Sequence, residues 1–159
     1  MAKAVAECTC EKCGKKFEKI ARNLPNRAAA DRYEDWAKGN YTLCEDCYRE
    51  YRRETRAGKA APLLAELGLP PITGQTDKQI RYAEDLRNKA LTEHPDELRE
   101  LGSWYRRAKA GELDERSKEL GKTPEEIIHD CLEGSAWPVK WCTIFETCEA
   151  RRIIDALKD

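Results

Sequence analysis

Two short stretches decide how this chain is read: Cys10-Glu11-Lys12-Cys13-Gly14 at residues 10–14 and Cys44-Glu45-Asp46-Cys47 at residues 44–47. Each Cys-x-x-Cys pair brings two thiolates to one side of a tight turn. Together Cys10, Cys13, Cys44 and Cys47 supply the four sulfurs of a tetrahedral zinc site. Gly14 follows the first pair, where the chain must turn sharply and a positive φ is tolerated only by glycine at low cost. Thirty residues separate the pairs, longer than the usual ribbon spacing, so the site must accommodate an insertion. The plainer alternative is four thiols buried separately, and two matched pairs count against it. Cys8 is a rival ligand, but Cys8-Thr9-Cys10 makes a poorer chelate turn than Cys10-x-x-Cys13, which leaves Cys8 a bystander. A site closed by four thiolates keeps no coordination position for a substrate. It therefore predicts a scaffold rather than a metal catalyst.

Composition sets the frame around that site. The 159 residues have room for a small metal module and a compact helical domain, and 37 % of them are charged. No apolar run approaches the roughly 20 residues needed to cross a bilayer. The opening MAKAVAECTCEKCG lacks the apolar stretch of a secretory signal. Eight cysteines in such a chain point to reduced or metal-bound thiols, and the expected location is the cytoplasm. The net charge of -1 is unevenly spread: residues 1–60 hold 14 Lys+Arg against 10 Asp+Glu, and residues 61–159 hold 15 against 20. A weakly basic first half followed by an acidic second half favours an anionic partner on the first.

Periodicity fills in the rest. Asn23 or Asn26 caps a helix in RAAADRYEDWAKG, which Gly39-Asn40 ends, and a second helix opens at CEDC and closes near Gly58. Thiolates at a helix N-terminus are favoured by the unsatisfied N–H groups there. The predicted fold is mostly α: a treble-clef-like or zinc-ribbon-like four-cysteine module at 1–58, a Pro/Gly-rich connector at 59–75, and an all-helical domain at 76–159. Within the last, Thr76 with Gln79, Pro95 with Asp96 and Glu97, and Thr123-Pro124-Glu125-Glu126 read as helix starts. A final helix is expected over roughly 141–157, for four in all. Cys131, Cys142 and Cys148 read as small buried hydrophobes, and His94 and His129 as surface or capping residues.

Arg49, Arg52, Arg53 and Arg56 recur at i, i+3, i+4 and i+7 beside Tyr48 and Tyr51. Such a stripe suits a phosphate backbone with tyrosines for stacking, and Lys15 and Lys16 near the first knuckle extend it. The competing reading is ion pairing on a solvated face, with Glu45–Arg49 and Glu50–Arg53 in register. Trp137, in a loop before Pro138, is a partner anchor if exposed. Enzyme signatures are missing: there is no phosphate-binding glycine loop, nucleophile elbow or H-E-x-x-H, and neither histidine is near the cysteine pairs in sequence. No catalytic residue is expected.

CTCEKCGKKFE and ADRYEDWAKGNYTLCEDCY, with TGQTDKQIRYAEDLRNK and the closing CEARRIIDALK, resemble small uncharacterised bacterial proteins associated with phages and other mobile elements. The resemblance covers about half the chain. Arg152 and Ile153 stand where that family's closing helix carries tryptophans. It implies zinc and a mobile-element origin, and it carries no activity. The function expected is that of a non-enzymatic, zinc-stabilised binding protein contacting nucleic acid. The alternative is an adaptor or inhibitor whose acidic helical half, around Glu112, Asp114, Glu115 and Glu119, docks on a host or phage protein.

Overall fold

The computed structural model describes residues 1–158. It is mostly helical, with one two-stranded sheet among those residues, and it divides into two compact units, Met1–Glu54 and the chain from Thr55 onward. No helix among the described residues is long and apolar enough to cross a membrane.

The first unit begins with an antiparallel hairpin of β1 (Ala2–Thr9) and β2 (Lys16–Leu24), with Cys8 opposite Phe17 and Thr9 opposite Lys16. Side chains alternate across a strand, so Ala4, Ala6 and Cys8 share one buried face of β1. All three are small. That lets helix α1 (Arg27–Asn40) lie close, meeting the sheet with its own buried Ala30 and Ala37. Phe17, Tyr33 and Tyr41 close the edges of this core. The Asn26 side chain caps α1, accepting from the Ala29 N–H at 2.9 Å. Asn23, the other candidate cap, instead takes a positive φ of 61° where the hairpin register slips between Ala2 and Ala4. An Asn tolerates that left-handed conformation better than a bulky residue.

Helix α2 (Glu45–Leu67) passes through both Gly58 and Pro62, whereas the composition of 59–75 predicts a connector. Proline removes one ladder bond and costs about 3 kcal/mol in a helix interior. Burial of Ala60 and Leu63 on its inner face, with Leu64 and Leu67 packed beside them, offsets that cost. The stop comes at Gly68, φ 62°. There Leu69 N–H reaches Leu64 O at 3.3 Å and Gly68 N–H reaches Ala65 O at 3.2 Å, the paired bonds of a left-handed glycine cap.

The second unit continues with α3 (Asp77–Glu93), α4 (Pro95–Lys109), α5 (Asp114–Leu120), α6 (Pro124–Glu133), a 3-10 turn (Val139–Cys142), α7 (Thr143–Glu146) and α8 (Ala150–Leu157). Its core gathers Leu91, Leu98, Leu101, Leu132, Ile144 and Ile153, all nearly inaccessible. Thr76 caps α3, and Thr123 with Glu126 forms a reciprocal capping box on α6. Gly102 permits a close approach within this core, since a Cβ there would lie 2.5 Å from Leu67 Cδ2 and 3.1 Å from Phe145 Cε1.

Two elements depart from the periodicity. Helix α5 has no buried residue and thus no apolar stripe to announce it. The single helix expected over 141–157 is interrupted at 147–149, because this backbone pairs in parallel with Thr73: Thr73 N–H donates to Cys148 O at 2.8 Å and Ala150 N–H to Thr73 O at 2.7 Å. The buried helix faces also hold polar groups. Arg87 on α3 is 5 % exposed and donates to Pro70 O at 2.8 Å. Burial lowers its affinity for the proton.

Candidate metal centre

The four paired cysteines converge. One donor atom from each of Cys10, Cys13, Cys44 and Cys47 lies within 4.8 Å of every other. Cys13 Sγ and Cys44 Sγ, from different pairs, are 3.7 Å apart. A Zn–S bond of about 2.3 Å at tetrahedral angles sets sulfurs about 3.8 Å apart, so this edge already has the length that a bound ion requires.

Local backbone explains how the sulfurs meet. The first pair occupies the hairpin turn, which Cys10 N–H to Lys15 O (2.9 Å) and Gly14 N–H to Cys10 O (2.8 Å) hold closed. Gly14 has φ 72°, the left-handed conformation predicted for it. Glu11 N–H donates to Thr42 O at 2.8 Å, tying this turn to the segment that leads into the second pair. Cys44 immediately precedes α2, its carbonyl accepting from Tyr48 N–H at 2.8 Å, and Cys47 sits in that helix's first turn. The thirty-residue insertion is β2 and α1, which pack against β1 and return the chain to the turn.

The sulfurs also behave as a set whose negative charge is under-compensated. The Cys44 backbone N–H, helped by those of Cys13 and Lys12, pulls the Cys10 thiol down to about 6. Cys47 is pushed up to about 12, first by its side-chain hydrogen bond with Cys44 and then by burial and the other sulfurs. One thiolate is stabilised and its neighbour is held protonated, because adjacent anions repel. A divalent cation removes that conflict and displaces the remaining protons. This donor set can hold a metal, and four sulfurs at tetrahedral spacing suit zinc or iron. Cys8 points away from it, its thiol directed at Ala37 O at 3.7 Å.

The cationic residues named beside the site are divided by the structure. Arg49 pairs with Glu45 at 3.2 Å, and Lys15 with Asp46 at 3.8 Å. Arg56 lies in the second unit, where its guanidinium meets Asp85 at 2.5 Å. Arg52 packs over the Tyr48 ring at 6.0 Å. Arg53 and Lys16 are exposed. The tyrosines expected beside the stripe are open to solvent, and Trp36 and Tyr41, which the sequence reading did not connect with them, belong to the same exposed region. Trp36, Tyr48 and Tyr51 are 51 %, 48 % and 53 % exposed, and Lys19 Nζ lies 4.7 Å from the Tyr41 ring centroid. Tyr41, Tyr48, Tyr51 and Lys19, with Glu11 and Glu45, line a groove of about 610 Å³ in the first unit.

Elsewhere the expectations for single residues are redistributed. Trp137 is half-buried and stacks on Trp104 with ring centroids 5.7 Å apart, so the helical unit itself anchors it. Of Cys131, Cys142 and Cys148 only Cys142 is buried. His94 packs against Trp141 with tilted rings, centroids 4.7 Å apart. His129 meets Cys142 and Glu146, a group that no sequence spacing signals because its members come from separate elements. Comparison of the chain with protein-family models, with curated proteins and with solved structures finds no match, so a functional reading rests on these side chains and their geometry.

Proposed function

We propose that the first unit is a zinc-stabilised binding module, without catalytic chemistry of its own, that takes single-stranded nucleic acid on its aromatic groove. The zinc part rests on the convergence of four sulfurs at tetrahedral spacing, with no position left for a substrate. The binding part rests on one observation: Tyr41, Tyr48 and Tyr51 line a single groove, with Tyr48 and Tyr51 about half in solvent, on a unit whose core is built mainly from alanines. Aromatic rings gathered along one groove, rather than scattered singly, mark a surface suited to a partner. Base stacking on such rings contributes about 1–3 kcal/mol per base and tolerates any sequence. Lys19 and Arg52 supply cations over the Tyr41 and Tyr48 rings, and Arg53 and Lys16 are exposed, whereas the regular arginine stripe is partly committed to ion pairs. Glu11 and Glu45 at the groove limit how much backbone phosphate it accepts. Unpaired strands with accessible base faces therefore suit it better than duplex.

Fluorescence anisotropy with short single-stranded oligonucleotides tests this reading. Binding is expected in low salt, with Tyr48→Ala and Tyr51→Ala each weakening it about tenfold or more. Unchanged zinc content in both variants controls for folding. Absence of binding to single-stranded DNA and RNA at low ionic strength rejects nucleic acid as the partner. The exposed aromatics then fit a protein partner, consistent with their role as anchors at protein interfaces.

A further inference from the structure

A second convergence of metal-binding atoms lies in the helical unit. His129 is carried by α6, Cys142 ends the 3-10 turn and Glu146 ends α7. One donor atom from each lies within 4.8 Å of the other two. His129 Nε2 is 2.6 Å from Glu146 Oε1, and the Tyr105 hydroxyl of α4 donates to the same carboxylate oxygen. Cys142 is 1 % exposed, while the His129 and Glu146 side chains keep 37 % and 22 % of their surface in solvent. The group is a buried sulfur under a solvent-facing rim.

Packing fixes these positions. The capping box at Thr123 and Glu126 sets the phase of α6, so that Ile128 and Leu132 enter the core and His129 falls at its edge. Cys142 and Glu146 are four residues apart through the turn into α7, close enough in a helical path to serve one site. Tyr105 stacks on Phe145, ring centroids 5.0 Å apart, which holds its hydroxyl toward Glu146. Hydrogen bonding accounts for the His129–Glu146 and Tyr105–Glu146 contacts by themselves. The Cys142 thiol, packed in the core and hydrogen-bonded with the Tyr105 hydroxyl, brings a sulfur to the same point, so that imidazole, thiol and carboxylate converge there.

We propose that His129 Nε2, Cys142 Sγ and the Glu146 carboxylate form a second metal site, for zinc or a cation of similar softness, separate from the four-cysteine centre. Imidazole, thiolate and carboxylate are all zinc ligands, and three protein ligands leave a fourth position for water or an added ligand. The Cys142 thiol releases its proton to solvent on binding, and the thiolate and carboxylate together neutralise the dication. Metal–ligand bonds of about 2.0–2.2 Å require the His129 and Glu146 donor atoms to part to roughly 3.3–3.5 Å. The exposed rim can make that adjustment by side-chain rotation. Tyr105 acts as a positioning residue: its hydrogen bond orients the carboxylate and touches no metal.

The test is metal counting on the full chain, reduced and stripped, then titrated with cobalt(II) and followed by absorbance and elemental analysis. Two equivalents are expected. Cys10→Ser with Cys13→Ser should retain one, and His129→Gln and Cys142→Ala should each remove that one while sparing the four-sulfur spectrum. Tyr105→Phe should keep two equivalents but weaken the second about 10–100-fold. Cys142→Ala alters the core, so the exposed-rim variant His129→Gln, with circular dichroism matching wild type, decides the matter if Cys142→Ala misfolds. A single equivalent in the wild type that His129→Gln leaves untouched overturns the proposal. So does a second equivalent that survives His129→Gln.

Discussion

Arg56 Nη1 donates to Asp85 Oδ1 at 2.5 Å, and each side chain keeps only about a fifth of its surface in solvent, 21 % and 22 %. An arginine so placed joins the lower half of α2 to α3. It is poorly free to leave for a phosphate. Arg56→Gln is expected to destabilise the protein by about 1–3 kcal/mol in urea denaturation and to leave oligonucleotide affinity unchanged. Asp85→Asn should cost a similar amount. The double variant should cost less than the sum, as for any directly coupled pair. A loss of affinity in Arg56→Gln without loss of stability would return Arg56 to the binding surface.

Loss of metal from the four-cysteine centre should unfold the first unit alone. Zinc binding to a structural site carries about 10–16 kcal/mol of apparent free energy, coupled to folding. The first unit otherwise has a core of small side chains around Ala6, Cys8 and Ala37, which bury little apolar area. A strong chelator, or Cys47→Ser, is expected to expose the amides of β1, β2 and α1 to hydrogen exchange within seconds. Those of α3, α4 and α6 should stay protected. Protection in the first unit that survives chelation would show that the sulfurs do not hold it together.

Salt dependence separates stacking from charge on the aromatic groove. Each neutralised phosphate on a single strand contributes a slope of about -0.7 in log affinity against log salt. Arg52→Gln with Arg53→Gln is therefore expected to reduce the slope by up to about 1.4. Tyr51→Ala should lower affinity at every salt concentration and leave the slope where it was. A slope that changes with the tyrosine instead would assign the groove to charge rather than to stacking.

Gly102 offers a test of packing in the helical unit. A methyl group there meets Leu67 Cδ2 at 2.5 Å and Phe145 Cε1 at 3.1 Å, so Gly102→Ala should cost about 1–3 kcal/mol despite alanine's better helix propensity. Leu67→Ala in the same chain should recover part of that loss. Thermal unfolding of the four combinations measures the coupling.

Capping chemistry and the paired cysteines were legible in the chain because each depends on residues a few positions apart. Thr123 with Glu126 announces α6, and Cys10 with Cys13 announces a chelating turn. What stayed hidden depends on partners distant in sequence. Pro62 reads as a helix breaker until the burial of Ala60 and Leu63 is weighed against it. The break at 147–149 is set by Thr73, some 75 residues earlier. Arg49 and Arg56 share a stripe by spacing and then have different partners, Glu45 and Asp85. His129 and Cys142 look unrelated at thirteen residues' separation, because only the packing of α6 against the 3-10 turn brings them to Glu146.

The bridge between Thr73 and the backbone at 148–150 has a consequence for synthesis. It joins the start of the helical unit to the strand of chain just ahead of α8, so the unit cannot close until α8 has left the ribosome. The four-cysteine turn needs nothing beyond α2's first turns and can acquire its metal while translation continues. Nascent chains stalled after α2 should already resist thiol alkylation in the presence of zinc. Those stalled before α8 should still leave Leu98 and Leu101 accessible to chaperones.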